Sequence, residues 1–196
     1  MHSNSKMKVV LTLVLAISLA ATGCTAQWIS VALADLPVLT QMALNIATLV
    51  ASMQSGRQLS PAEAAAIQNI SSAASGGLNS LQTLYNQYKA NPDASTLQKI
   101  EGVIAEINQQ LPAELQTARI SDPTLAARVT AGVNLILTTV QSFAALMPQK
   151  TAATSRRLPA VAIPKPGDLK KQWNQQVCAP TGNSGVDAAL AKCKVK

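Results

Sequence analysis

Between residues 60 and 147 apolar side chains recur at intervals of three and four. Ile67, Ile70, Ala74, Leu81, Leu84 and Tyr88 keep that rhythm in one segment, and Leu97, Ile100, Ile104, Ile107 and Leu111 in the next. Leu125, Val129, Val133, Ile136, Val140, Phe143 and Met147 continue it in a third. Side chains so spaced share one face of an α-helix, so the pattern predicts three amphipathic helices packed on a common core. Ser60-Pro61, Asn91-Pro92 and Asp122-Pro123 punctuate them. Each pairs an N-cap residue with a proline suited to the first helical position. Ser60 and Glu63 complete a capping box. The three boundaries lie 31 residues apart, but the residues between them do not align, so equal helix lengths are read here rather than a repeat.

An earlier segment, Trp28 to Met53, is apolar on most sides, with Asp35, Gln41 and Asn45 among its few polar residues. It is long enough to span a bilayer, for which about 20 residues suffice. The three later stripes nevertheless need a partner, so it is read as the central helix of the bundle, with Asp35 capping it ahead of Pro37. Gly76-Gly77 and Pro112 fall inside predicted helices and read as kinks or breaks that shape packing, with a hinge or close approach as the alternative. The fold class is all-α, a bundle of about four helices followed by a small disulfide-closed helical tail.

The N-terminus has a different pattern. Lys6 and Lys8 precede an almost unbroken apolar run from Val9 to Ala21, and small residues follow up to Cys24. This is the layout of an export signal, with an apolar core too short for a spanning helix. Ala21-Thr22-Gly23-Cys24 resembles the lipobox of bacterial lipoprotein precursors, with Ala21 where leucine is commonest. The resemblance covers about the first 25 residues and concerns processing rather than activity. It implies that residues 1–23 are a signal peptide, that Cys24 carries acyl chains, and that the mature protein is held at a membrane. Thr25, rather than aspartate, follows the cysteine. In that class this favours an outer-membrane lipoprotein facing the periplasm.

Composition then narrows the chemistry. His2 is the only histidine and lies in the signal segment, so the mature chain would have no imidazole for acid–base work or metal ligation. Glu101 and Glu106 are on different helical faces, Glu106 and Glu114 are separated by Pro112, and these carboxylates read as solvated surface. Ser71, Ser72 and Ser75 have no histidine or nearby lysine to activate them, and Gly76-Gly77 lacks the lysine and preceding strand of a phosphate loop. No catalytic constellation, metal site or cofactor motif results, and a non-enzymatic protein is expected.

Charge divides the mature chain. Residues 24–147 hold five basic and seven acidic residues, whereas residues 148–196 hold nine basic and two acidic. Residues 148–167, with four prolines, read as an extended linker. Residues 168–196 read as a basic tail of two short helices, capped by Asp168 and Ser184. Cys178 and Cys193 stand at their ends, and export to an oxidising compartment predicts a disulfide between them. Arg156, Arg157, Lys165, Lys170, Lys171, Lys192, Lys194 and Lys196 form the one coherent charge feature. They suit an anionic envelope partner, lipid or cell-wall polymer, rather than nucleic acid, since Trp173 is the tail's only aromatic. A carrier of a small apolar ligand and a membrane-inserting helical protein are the alternative readings.

Overall fold

A computed structural model describes residues 28–50, 59–147 and 164–196. All regular structure in them is helical. The helices are α1 (Trp28–Val50), α2 (Pro61–Ala90), α3 (Ala94–Thr117), α4 (Pro123–Leu146), α5 (Pro166–Gln176) and α6 (Ser184–Leu190). A 3₁₀ turn, Ala191–Cys193, closes the series.

The long helices run alternately up and down. The loops joining α2 to α3 and α3 to α4 are short, which makes neighbours antiparallel. The first residue of α1, Trp28, meets Tyr85 near the end of α2 at a ring distance of 5.5 Å. Further along, the Ser71 hydroxyl donates to the Ala43 carbonyl at 2.8 Å, so α1 and α2 are antiparallel too. Tyr85 in turn stands edge-on to Phe143 of α4 at 6.3 Å. The periodic residues Ile67, Ile70, Leu81, Ile100, Ile104, Val129, Val133, Ile136 and Phe143 are buried, as the stripe requires. Leu84 is only partly buried, and Leu78 and Tyr85 fill the core beside it.

The local signals match the helix boundaries at two places and are displaced at others. Ser60 and Glu63 form the capping box, and Asp122 caps α4 through the Leu125 amide. At the middle boundary Asn91 instead ends α2 and Asp93 caps α3. Asp93 accepts from both the amide and the hydroxyl of Thr96, at 2.8 and 2.6 Å, a pairing Asn91 has no equivalent for. The tail shifts likewise. Lys165 rather than Asp168 occupies the cap of α5, so Pro166 and Gly167 belong to that helix and not to a linker. Asn183 rather than Ser184 caps α6, accepting from Gly185 and Val186. Pro112 and the two glycines break nothing: α3 and α2 run straight through them. Gly77 is a close approach, since a Cβ there would lie 2.6 Å from Ile107 of α3.

Asp35 is not a cap. Trp28, Ile29 and Ala32 already pack as helix against the bundle, which places Asp35 inside α1 with its side chain fully buried. Pro37 forfeits one helical hydrogen bond without ending the helix.

The C-terminal segment is part of the same core. Leu169, Trp173, Val177, Leu190 and Val195 are buried with the bundle residues, and the Cys178–Cys193 disulfide lies among them. Trp173, with no exposed surface, fits against Gly132 of α4. A Cβ on Gly132 would stand 2.9 Å from the indole ring and 3.7 Å from Ile46 of α1, so the missing side chain makes the notch the indole fills. Overpacking of this kind destabilises by about 1–3 kcal/mol. Gly132→Ala is therefore expected to lower thermal stability by that amount and to speed proteolysis of the C-terminal segment ahead of the bundle, read by mass spectrometry of the fragments.

Candidate functional site

The residues after Leu190 alternate in environment. Cys193 and Val195 are buried, while Lys192, Lys194 and Lys196 are exposed. Lys192 lies in the 3₁₀ turn, and the backbone is extended from Lys194, so Lys194 and Lys196 fall on the side opposite Val195. Several bonds hold the segment in this register. The Cys193 carbonyl accepts from the Trp173 indole at 2.9 Å and from the Asn45 amide of α1 at 2.7 Å. Val195 exchanges two bonds with the Asn174 side chain, each 3.0 Å. Arg128 of α4 reaches the carbonyls of Val177 and Ala179, satisfying the end of α5. Burial pushes the Arg128 guanidinium down from its ordinary value, and the field of Asp187 opposes that.

Lys170 of α5 joins the three C-terminal lysines around a shallow cavity of about 390 Å³. Pro37, Val38, Gln41 and Asn45 of α1 line it from below, with Val195 beside them, and no Asp or Glu belongs to the lining. Gln41 donates to Asn45 at 2.9 Å, and Asn45 donates onward to Cys193, so the floor is a polar chain that supports the lysine segment. The four lysines border one cavity, so their positive charges reinforce one another there.

Of the eight basic residues singled out in the sequence, the cavity gathers Lys170, Lys192, Lys194 and Lys196. Lys171 is exposed outside its lining, and Lys165 borders a different groove. Arg156 and Arg157 lie outside the described residues, as do Cys24 and the rest of residues 1–27. The serines of α2 have structural partners: Ser71 bonds to α1, and Ser75 bonds to the Ser72 carbonyl at 3.2 Å. The α1 residues of the cavity floor carry no recognisable motif in the sequence. Only the unusual polarity of Gln41 and Asn45 in an apolar helix hinted at them.

The second groove was not foreseen at all. It has a volume of about 500 Å³ between Ser30, Val31, Ala34 and Asp35 of α1 and Pro164, Lys165 and Pro166. Asp35, expected from the sequence to cap a helix or to be solvated like the other carboxylates, is instead buried, and neither of its oxygens has a hydrogen-bond partner. Burial raises its pKa from 3.8 to about 6. Glu63 shows the opposite effect. It accepts from the amides of Ser60 and Ser121, at 3.0 and 2.7 Å, and these bonds lower its pKa to about 2.

No family model, no curated protein and no solved structure matches this chain.

A carboxylate whose pKa is raised by folding binds its proton more tightly in the folded state. Asp35 therefore destabilises the fold fully above about pH 6, and that penalty vanishes as pH falls toward 3.8. Asp35→Asn is expected to stabilise the protein by about 1–3 kcal/mol at pH 8 and to make no difference near pH 4, measured by urea unfolding at the two pH values. An equal effect at both would show that Asp35 is not ionised in isolation.

Proposed function

We propose that this protein is a lipid-anchored, non-enzymatic component of a bacterial cell envelope, acylated at Cys24 after removal of residues 1–23. In this reading it presents the lysine cavity to an anionic partner, a phospholipid surface or a cell-wall polymer. The single observation that carries the partner half is the convergence of Lys170, Lys192, Lys194 and Lys196, which come from two stretches of the chain, on one concavity with no Asp or Glu in its lining. The lipobox resemblance at Ala21-Thr22-Gly23-Cys24 supports the anchor half.

The two halves are compatible in distance. Cys24 precedes α1 by four residues, at most about 14 Å of chain. The cavity floor lies nine to seventeen residues into α1, roughly 13–25 Å along its axis. With α1 lying along the membrane surface, a lysine face so placed comes within reach of the lipid headgroups. One acyl chain binds reversibly and two or three bind durably, at about 0.8 kcal/mol per buried methylene. Each lysine near an anionic surface adds about 1 kcal/mol that salt removes.

A membrane-inserting role is the second reading. α1 and α4 are both long and apolar enough to cross a bilayer, with mean hydropathy of 1.5. Their apolar faces are engaged, however, with the other helices and with the tail. This favours a bundle that stands at the membrane surface over one that opens into it.

Growth with labelled fatty acid tests the anchor: the wild-type protein is expected to take up label and to fractionate with membranes, and Cys24→Ser to do neither. Label absent from the wild type would end the lipoprotein reading. For the partner, a signal-less Cys24→Ser chain is mixed with vesicles of phosphatidylglycerol or of phosphatidylcholine at low salt. Replacing the four cavity lysines by glutamine is expected to weaken phosphatidylglycerol binding by more than about tenfold, each lysine contributing about 1 kcal/mol. Replacing Lys89 and Lys99 of the bundle should change it little. Equal losses in the two variants would mean that overall charge, not the cavity, does the binding.

A further inference from the structure

The groove beside α1 contains a polar group that the anchor and the lysine cavity leave unexplained. Asp35 is fully buried, and both carboxylate oxygens are without a hydrogen-bond partner. Buried ionisable groups are normally paired, because an isolated charge loses its hydration and receives nothing in exchange. Asp35 nevertheless lines an open groove of about 500 Å³, in the size range of small-molecule sites; its oxygens have no exposed surface, so a cation pairs with them once the side chain turns toward the groove. Val31, Ala34, Pro164 and Pro166 make most of the remaining wall apolar. A single anionic group in an apolar groove is complementary to a molecule with one cationic group and an apolar body. We infer that this groove binds a small organic cation, an alkylammonium or related amine, whose charged end pairs with Asp35 while its chain lies along Val31, Ala34 and the two prolines.

Two alternatives are disfavoured by the lining. Hard metal ions such as calcium take six to eight oxygen ligands, and Asp35 is the only acidic residue lining the groove. An anionic ligand would meet the Asp35 charge directly. The chain has its own cation at the rim: Lys165 is exposed and borders the groove without bonding to Asp35. Its ammonium repels an incoming amine and competes for the same carboxylate, so it sets a limit on affinity. The elevated pKa of Asp35, about 6, is consistent with a site that is ionised but unpaired at neutral pH.

A charge series of equal length tests this. The full chain, labelled with nitrogen-15, is titrated at neutral pH with hexylammonium, hexanol and hexanoate, and the amide signals of Val31 and Ala34 are followed. Hexylammonium is expected to give saturable shifts, with a dissociation constant at least tenfold below that of hexanol, and hexanoate to give none. Asp35→Asn should bring hexylammonium and hexanol to equal affinity, and Lys165→Met should tighten hexylammonium binding. Equal binding of hexylammonium and hexanol to the wild type, or no saturable shift from hexylammonium, would overturn the proposal. An unchanged preference in Asp35→Asn would do the same. If that variant does not fold, the series on the wild type decides alone.

Discussion

The arrangement turns on one carbonyl oxygen, that of Cys193. It accepts hydrogen bonds from the Trp173 indole of α5 and from the Asn45 amide of α1, and its residue is covalently joined to Cys178. Three stretches of chain, separated by up to 148 residues, are therefore fixed at one point. The indole can reach that oxygen only because Gly132 leaves space for it against α4. Without this joint the last residues would be a short apolar and basic segment with no core of its own. With it, Val195 points into the protein and Lys192, Lys194 and Lys196 point out, and the lysine cavity exists. The 15-residue disulfide loop contributes about 3 kcal/mol in the chain-entropy picture, which supports the same joint.

The four long helices are less dependent on any single contact. Their stripes interlock over many apolar side chains, and a change at one of them is buffered by the rest. Two positions are exceptions in opposite senses. At Gly77 an added side chain would collide with the Ile107 side chain of α3. At Asp35 a charge sits where an apolar residue would pack better, and the fold tolerates it because the bundle around it supplies the stability that the charge withholds. In the proposed complex a bound cation would supply the partner that the fold does not give this carboxylate.

Long-range polar bonds do most of the positioning. Arg128 ties α4 to the end of α5, Glu63 ties the start of α2 to the loop before α4, and Ser71 ties α2 to α1. Each of these residues has an ordinary appearance in the sequence: an arginine in a helix, a capping glutamate, one serine among several. Their partners are carbonyl or amide groups of the backbone, which leave no trace in side-chain identity.

The amino-acid sequence by itself determined the helical class, the three amphipathic stripes, two of the three proline-marked boundaries and the pairing of Cys178 with Cys193. These follow from local rules: a period of three to four residues, a side chain that accepts from a nearby amide, two cysteines in one short loop. Tertiary structure alone decided that α1 includes Asp35, that Trp173 seats in the Gly132 notch, and that four of the basic residues share a cavity while Lys165 stands at another groove. Each of those depends on which surfaces meet across the bundle, and that choice is made by packing between residues far apart in the chain, which no local pattern encodes.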